Sequence, residues 1–332
     1  MPQVCRRNIG SYNRANTCNF AAIRLESAVP SSTSSRSTSG ILCALGAFFL
    51  WGVLPLFWKM FHDLPASSII AHRTIWSLCF LWMFLLFQKN AKSTLAQLKQ
   101  PRIALWHLLS GLLLAGNWLL YVWATLHERI LEGALGYYLN PFCNMLFGYF
   151  LFGERHTGLQ KISIAIALTG VAFQFQGVHG FPWIAITLAL SFSLYAVVRK
   201  KSPLPSLQGL SLETLLLAPI ALTWLLCTNP SLAATLQNNT LQSILLIVTG
   251  IATATPLLLF GYAARNISLT TLGVLQFLGP TLQFLIGWKV FHEPLSRERV
   301  ISFAFIWTAI ALYAWSCRTR NSEMRNEVAI SD

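Results

Sequence analysis

Ten side chains able to do chemistry stand in this chain where polar groups are costly. His72 and Arg73 lie in the run 68–87, and Asn117 and Tyr121 in 103–124. Tyr137, Tyr138, Asn140 and Asn144 lie in 131–151, and Gln276 and Gln283 in 269–290; each run is otherwise largely apolar. A charge at the centre of a bilayer costs roughly 2.5–3.5 kcal/mol on insertion scales, so an ionisable residue in such a run is a functional candidate by default. Arg73, about one turn into its run, could pair a carboxylate through two parallel N–H···O bonds. Its alternatives are to snorkel toward nearby headgroups or to pair with Asp63. Asn117 stands among Trp118, Tyr121 and Trp123, and an aromatic cavity with a few amides suits a neutral or zwitterionic organic solute better than a bare ion. For each residue singly, the competing reading is a bond between helices or an interfacial aromatic belt.

Bond-making chemistry finds little support. His127-Glu128 begins like the helix of a zinc protease, but Leu131 stands where the second histidine belongs. No nucleophile and base spacing shows within the apolar runs, and no Gly-x-x-x-x-Gly-Lys phosphate loop is present. Seven cysteines, an odd number without a Cys-x-x-Cys pair, read as small buried hydrophobes. The expectation is a protein that is not an enzyme, with no catalytic residue, cofactor or metal. His72, Glu132, Glu154 and Glu293 are the available proton carriers.

The elements that must position these residues are membrane spans. Only 11% of the 332 residues are charged, and the apolar residues come in about ten long runs. They are 41–60, 68–87, 103–124, 131–151, 161–176, 182–198, 211–227, 242–261, 269–290 and 300–317. A helix crosses the hydrocarbon core in roughly 20 residues. The net charge of +13 does not indicate nucleic acid, because Lys and Arg alternate between loops. With the N-terminus inside, 18 of the 24 fall in inside segments, which places both termini in the cytoplasm. Lys59 and Lys289 lie near run ends and can snorkel, and Trp51 and Lys59 hold places roughly equivalent to Tyr195 and Arg199. Residues 1–39 form a polar tail, expected to be disordered, whose Arg- and Ser-rich composition also fits an organelle transit peptide. The tail from Arg318 is expected to be disordered too.

The chain contains its own second half. A shift of 139 positions lays Gly111 on Gly250, Ala124 on Ala263, Pro141 on Pro280, Gly148 on Gly287 and Glu154 on Glu293. Five spans per half is an odd number, so a segment and its copy cross in opposite directions. That arrangement builds many transporter folds around a midplane site. Pro141 and Pro280 should each break a backbone bond and open a hinge. Gly133, Gly136 and Gly148 permit close packing. Glu154 and Glu293 end the fourth span of each half, against the helix dipole, and should gain N–H partners at the next helix or a basic neighbour. They read as loop fasteners. Thr157 to Gln160 forms a capping box, echoed by Ser296 and Glu298. Asn117 falls on Pro256, Tyr137 on Gln276 and Asn144 on Gln283.

The segments FLWGVLPLFWK (49–59), AHRTIWS (71–77), NWLLYVWA (117–124) and EGALGYYLNP (132–141) resemble the RarD branch of the EamA-like transporters, in the drug/metabolite transporter superfamily. The resemblance covers about 40–317 and departs at the tail. It implies an all-α integral membrane fold of ten helices in two inverted five-helix repeats, here 40–176 and 177–317. It also implies a bacterial inner membrane and a family name linked to chloramphenicol sensitivity. The expected function is secondary transport, as an exporter of a small organic metabolite or drug by alternating access. The alternative is a non-transporting sensor or assembly factor. Expected partners are the solute and the lipid bilayer, not nucleic acid, with homodimerisation left open.

Overall fold

The computed structural model describes residues 32–61, 66–127, 129–174, 181–228, 240–292 and 297–331. Expectations placed on residues 1–31, Asp63, Glu128, Glu293 and Ser296 lie outside them. Within them run α1 Ser32–Trp58, α2 Ala66–Phe87, α3 Ala91–Ala96, α4 Pro101–Leu126, α5 Ile130–Phe152 and α6 Gly158–Ala172. The second half gives α7 Trp183–Lys201, α8 Ser206–Thr228, α9 Thr240–Asn266, α10 Leu269–Gln276, α11 Leu278–Lys289 and α12 Arg297–Ser331.

Every expected span is occupied by helix. Among the described residues, eight stretches are long and apolar enough to cross a membrane: α1, α2, α4, α7, α8, α9, α10 with α11, and α12. The remaining two expected spans are α5, which carries Glu132, three tyrosines and two asparagines, and α6, of 15 residues. Burial follows the rule for a bilayer solvent. Phe87, Leu105, Leu119 and Phe150 are exposed, whereas Asn117, Asn140, Asn144, Arg199 and Glu213 are buried.

Two ends differ from expectation. α1 begins at Ser32, inside the segment expected to be a disordered tail to residue 39, and α12 runs on to Ser331, past the expected end at 317. Once a helix is nucleated, adding a residue gains a hydrogen bond for little further entropy, so polar flanks continue the apolar span.

Helix neighbours reproduce the repeat. Exchanging α1 with α7, α2 with α8, α4 with α9, α5 with the α10–α11 pair, and α6 with α12 maps the main pairings onto one another. Thus α5–α7 maps to α1–α11, α1–α9 to α4–α7, and α2–α9 to α4–α8, while α2–α8, α5–α10 and α6–α12 map to themselves. Glycines set the closest approaches: a Cβ on Gly273 of α10 would stand 2.7 Å from the Pro141 carbonyl oxygen of α5, and one on Gly136 would stand 2.8 Å from Leu188 Cβ of α7.

The two repeat prolines act differently. α5 continues through Pro141, but the ninth span is interrupted at Phe277, between α10 and α11. Pro280 has no N–H for the carbonyl of Gln276, four residues back, and its ring crowds that carbonyl.

Glu154 finds N–H partners, but 115 residues away instead of in the next helix. Its carboxylate accepts from Leu269 N at 2.7 Å, Thr270 N at 2.9 Å and Thr270 Oγ1 at 2.6 Å. The end of the first half's fourth span therefore caps the start of the second half's, where free N–H groups and the helix dipole favour an anion. Gly148 leaves the room, because a Cβ there would collide with the Glu154 carboxylate. Gly153, at φ 65°, turns the chain out of α5 in a conformation open to glycine. The expected capping box of Thr157 and Gln160 is present at the start of α6.

Candidate functional site

Six of the ten candidate residues line one cavity of about 260 Å³: Arg73, Asn117, Tyr121, Tyr137, Gln276 and Gln283. It lies toward the ends of α1 and α4 and the starts of α2, α5 and α11. Pro280, Gly279 and Thr253 contribute the wall from the second half, and Trp51, Leu54, Pro55 and Trp58 the wall from α1. From the ninth span, Gln283 Nε2 donates to the Trp51 carbonyl at 3.2 Å.

Among the described residues, Arg73 brings the only charge to this wall. Its guanidinium carbon lies 3.6 Å from the centre of the Trp118 ring and 5.9 Å from that of Trp58. Its Nε is buried without a hydrogen-bond partner, and among the described residues no carboxylate forms an ion pair with it. Asn117, 1% exposed, donates through Nδ2 to Leu188 O and Ser191 Oγ, both at 2.9 Å, while its Oδ1 has no partner. The Thr253 hydroxyl is likewise buried and unpartnered. Tyr121 and Tyr137 meet edge to face at 5.3 Å between centroids.

The other four candidates lie off this wall. Asn140 and Asn144 form a network behind it: Asn144 Nδ2 donates to Asn140 Oδ1 at 3.1 Å and to Gln276 Oε1 at 3.0 Å, joining the halves. Asn140 Nδ2 also donates to Ala189 O at 3.2 Å, and Tyr138 packs against Phe303 at 6.0 Å. His72 is buried but does not line the cavity. Glu132 is bridged to Arg129 at 2.5 Å.

Aromatic rings pack at one end of the cavity. Trp51 meets Phe192 at 5.8 Å, Phe192 meets Phe260 at 5.2 Å, and Tyr195 stacks on Phe260 at 5.9 Å and 9°. Beyond them lies an ionic cluster that sequence reasoning missed. Glu213 accepts from Arg199 Nη1 at 2.9 Å and Ser110 Oγ at 2.8 Å, and lies 3.3 Å from His107 Nδ1. Ser202 Oγ lies 3.3 Å from His107 Nε2. The order Ser202, His107, Glu213 has the connectivity of a nucleophile–base–acid chain, with Ser202 outside the apolar runs in which none was expected. Its members come from α4, α8 and the turn after α7, so no local spacing announces them. None of the three lines the cavity, and Arg199, with 0% exposure, holds the carboxylate. A lone Glu213 in an apolar run was the available signal. Arg199 therefore departs from Lys59, which is exposed and lies 3.4 Å over Phe291.

Comparison with known proteins gives one result throughout. The family model described as the EamA-like transporter family matches residues 38–176. The chain is 37% identical over 281 residues to Protein RarD of Salmonella typhi, covering 84% of this chain and 96% of that protein. It is 38% identical over 288 residues to the uncharacterized transporter YojE of Bacillus subtilis, covering 85% and 95%. The Chloramphenicol-sensitive protein RarD of Pseudomonas aeruginosa is 28% identical over 297 residues, covering 88% and 99%. One crystal structure, 23% identical, superposes with a TM-score of 0.65 over 84% of this chain and 99% of that one, which speaks to the fold alone.

Proposed function

This chain is a multi-pass membrane transporter of the RarD branch of the EamA-like family, and from that membership we propose that it is a secondary carrier of a small organic solute, working by alternating access. The observation that carries the reading is the cavity walled by both halves: Arg73, Asn117, Tyr121 and Tyr137 from one, Thr253, Gln276 and Gln283 from the other. A site at the interface of two repeats changes its exposure when one repeat rocks against the other. Burial of polar groups in an aromatic-walled space suits an organic solute.

The same geometry supports a direction. With the N-terminus inside, α1, α4 and α11 end at the outer face, so the cavity opens outward. The cytoplasmic end is then shut by the aromatic rings, the Glu154 cap on α10, and Lys200, which donates to the Ala264 and Ile267 carbonyls. This is an outward-open state, the state from which an exporter releases solute.

The test is counterflow in proteoliposomes with labelled amino acids, nucleosides, sugars, organic acids and chloramphenicol, the last because one relative's name carries it. Saturable uptake of one class, lost in Asn117→Ala with the protein still folded, is expected. Uptake indifferent to Asn117→Ala and Trp51→Ala would remove the cavity from the pathway. Silence across the panel from folded protein would favour a sensor or assembly factor.

A further inference from the structure

We infer that the solute taken by this cavity is an organic acid, its carboxylate held by the Arg73 guanidinium and a hydrogen-bond donor of the same solute held by Asn117. The inference rests on the cavity being the solute site.

Charge accounting leads to it. The described carboxylates buried in the bundle are already engaged, Glu132 with Arg129 and Glu213 with Arg199, while Glu154 caps α10. Arg73 is left on the cavity wall with a buried, unpartnered Nε and a ring face as its main neighbour. A guanidinium packed on an indole keeps its N–H donors in its own plane, which is the geometry that pairs a planar carboxylate twice. A cation left uncompensated beside hydrocarbon is costly, and a bound anion offsets that cost.

A second observation is independent of Arg73. Asn117 Oδ1 and Thr253 Oγ1, in cavity-lining residues of opposite halves, are also buried without a partner. The carboxamide has spent its donors on Leu188 and Ser191, so the oxygen it presents can only accept. A ligand hydroxyl, amine or amide N–H satisfies it; an ether or a bare hydrocarbon does not. Trp51, Trp118 and Tyr137 leave an apolar body as the rest of the solute.

Three matched probes separate these terms: mandelate, its amide mandelamide, and phenylacetate, which lacks the hydroxyl. Binding is read on purified protein by thermal stabilisation and by quenching of tryptophan fluorescence, which Trp118 reports. Mandelate is expected to bind about tenfold or more tighter than mandelamide, as loss of a charge-assisted pair implies. Arg73→Gln should erase that difference, with Arg73→Lys intermediate because it keeps the charge but not the fork. Asn117→Ala should erase the difference between mandelate and phenylacetate while leaving the acid preference intact. Each variant is first shown to be monodisperse, with an unliganded melting temperature near that of the parent.

Equal binding of acid and amide, or an acid preference that survives Arg73→Gln, overturns the assignment while leaving the cavity as a solute site. Failure of all three probes to bind also overturns it. Failure of the carrier reading shows differently, as counterflow that ignores cavity substitutions.

Discussion

Arg199 and Glu213 are where a single side chain matters most to stability. Both are essentially unexposed, at 0% and 1%, and Gly209 and Gly261 are shaped around the guanidinium: a Cβ on Gly261 would stand 2.8 Å from Arg199 Nη2. Removing one partner of such a pair leaves the other charge buried, which costs roughly 3–5 kcal/mol, whereas replacing both by apolar groups is often neutral. Glu213→Leu should therefore unfold at markedly lower denaturant, and Arg199→Met with Glu213→Leu should recover most of the loss. An additive pair of losses would show that the two residues act separately. At this scale the sequence singles out Arg73 and Asn117, which both line the cavity, because each is a costly residue in an apolar run. It could not join Glu213 to His107, 106 residues away, since that pairing is made by helix packing.

Two elements carry the exchange between states. The first is α10, whose N-terminus is capped by a carboxylate from the opposite half. Glu154→Gln keeps the shape but gives up the charge, and loss of a helix cap costs about 0.5–2 kcal/mol. If one repeat rocks against the other, this cap between the halves breaks as the inner end opens, so the substitution should shift the population inward. A cysteine at Gln276 should then be labelled faster from the cytoplasmic face in Glu154→Gln than in the parent. Equal rates would reduce Glu154 to a fixed fastener. The second element is the break at Phe277. Pro280→Ala restores the missing donor and should join α10 to α11, raising the melting temperature while slowing counterflow. A proline in an apolar run is easy to read, but the different fates of Pro141 and Pro280 are not, because the neighbours around each decide whether the helix bends or parts.

The molecule as a whole is two copies of one five-helix plan, and this was the most legible property of the sequence. Gly, Pro and Glu fall on Gly, Pro and Glu at one fixed shift, and helix pairings that map onto one another under exchange of halves are the spatial form of the same regularity. The extent of α1 and α12 was less legible, since polar flanks carry no periodic signal that would stop a helix. An odd number of spans per half forces the copies to point in opposite directions, so orientation is the property on which the transport direction depends. Lys200 lies in the last turn of α7 and should report inside, Asn238 should report outside, and fusions at both chain ends should report inside. Glycosylation or phosphatase reporters at these positions decide it. The reverse pattern would turn the cavity toward the cytoplasm and make this state the one that loads an exported solute, with Glu154 sealing the outer face instead. Arg297 and Arg299, expected outside against the positive-inside trend, make the result informative: their loop copies one that carries Arg155 and Lys161 inside. Charge alone cannot satisfy both copies of an inverted repeat, so moving Arg297 and Arg299 to Gln should strengthen the expected orientation, not reverse it.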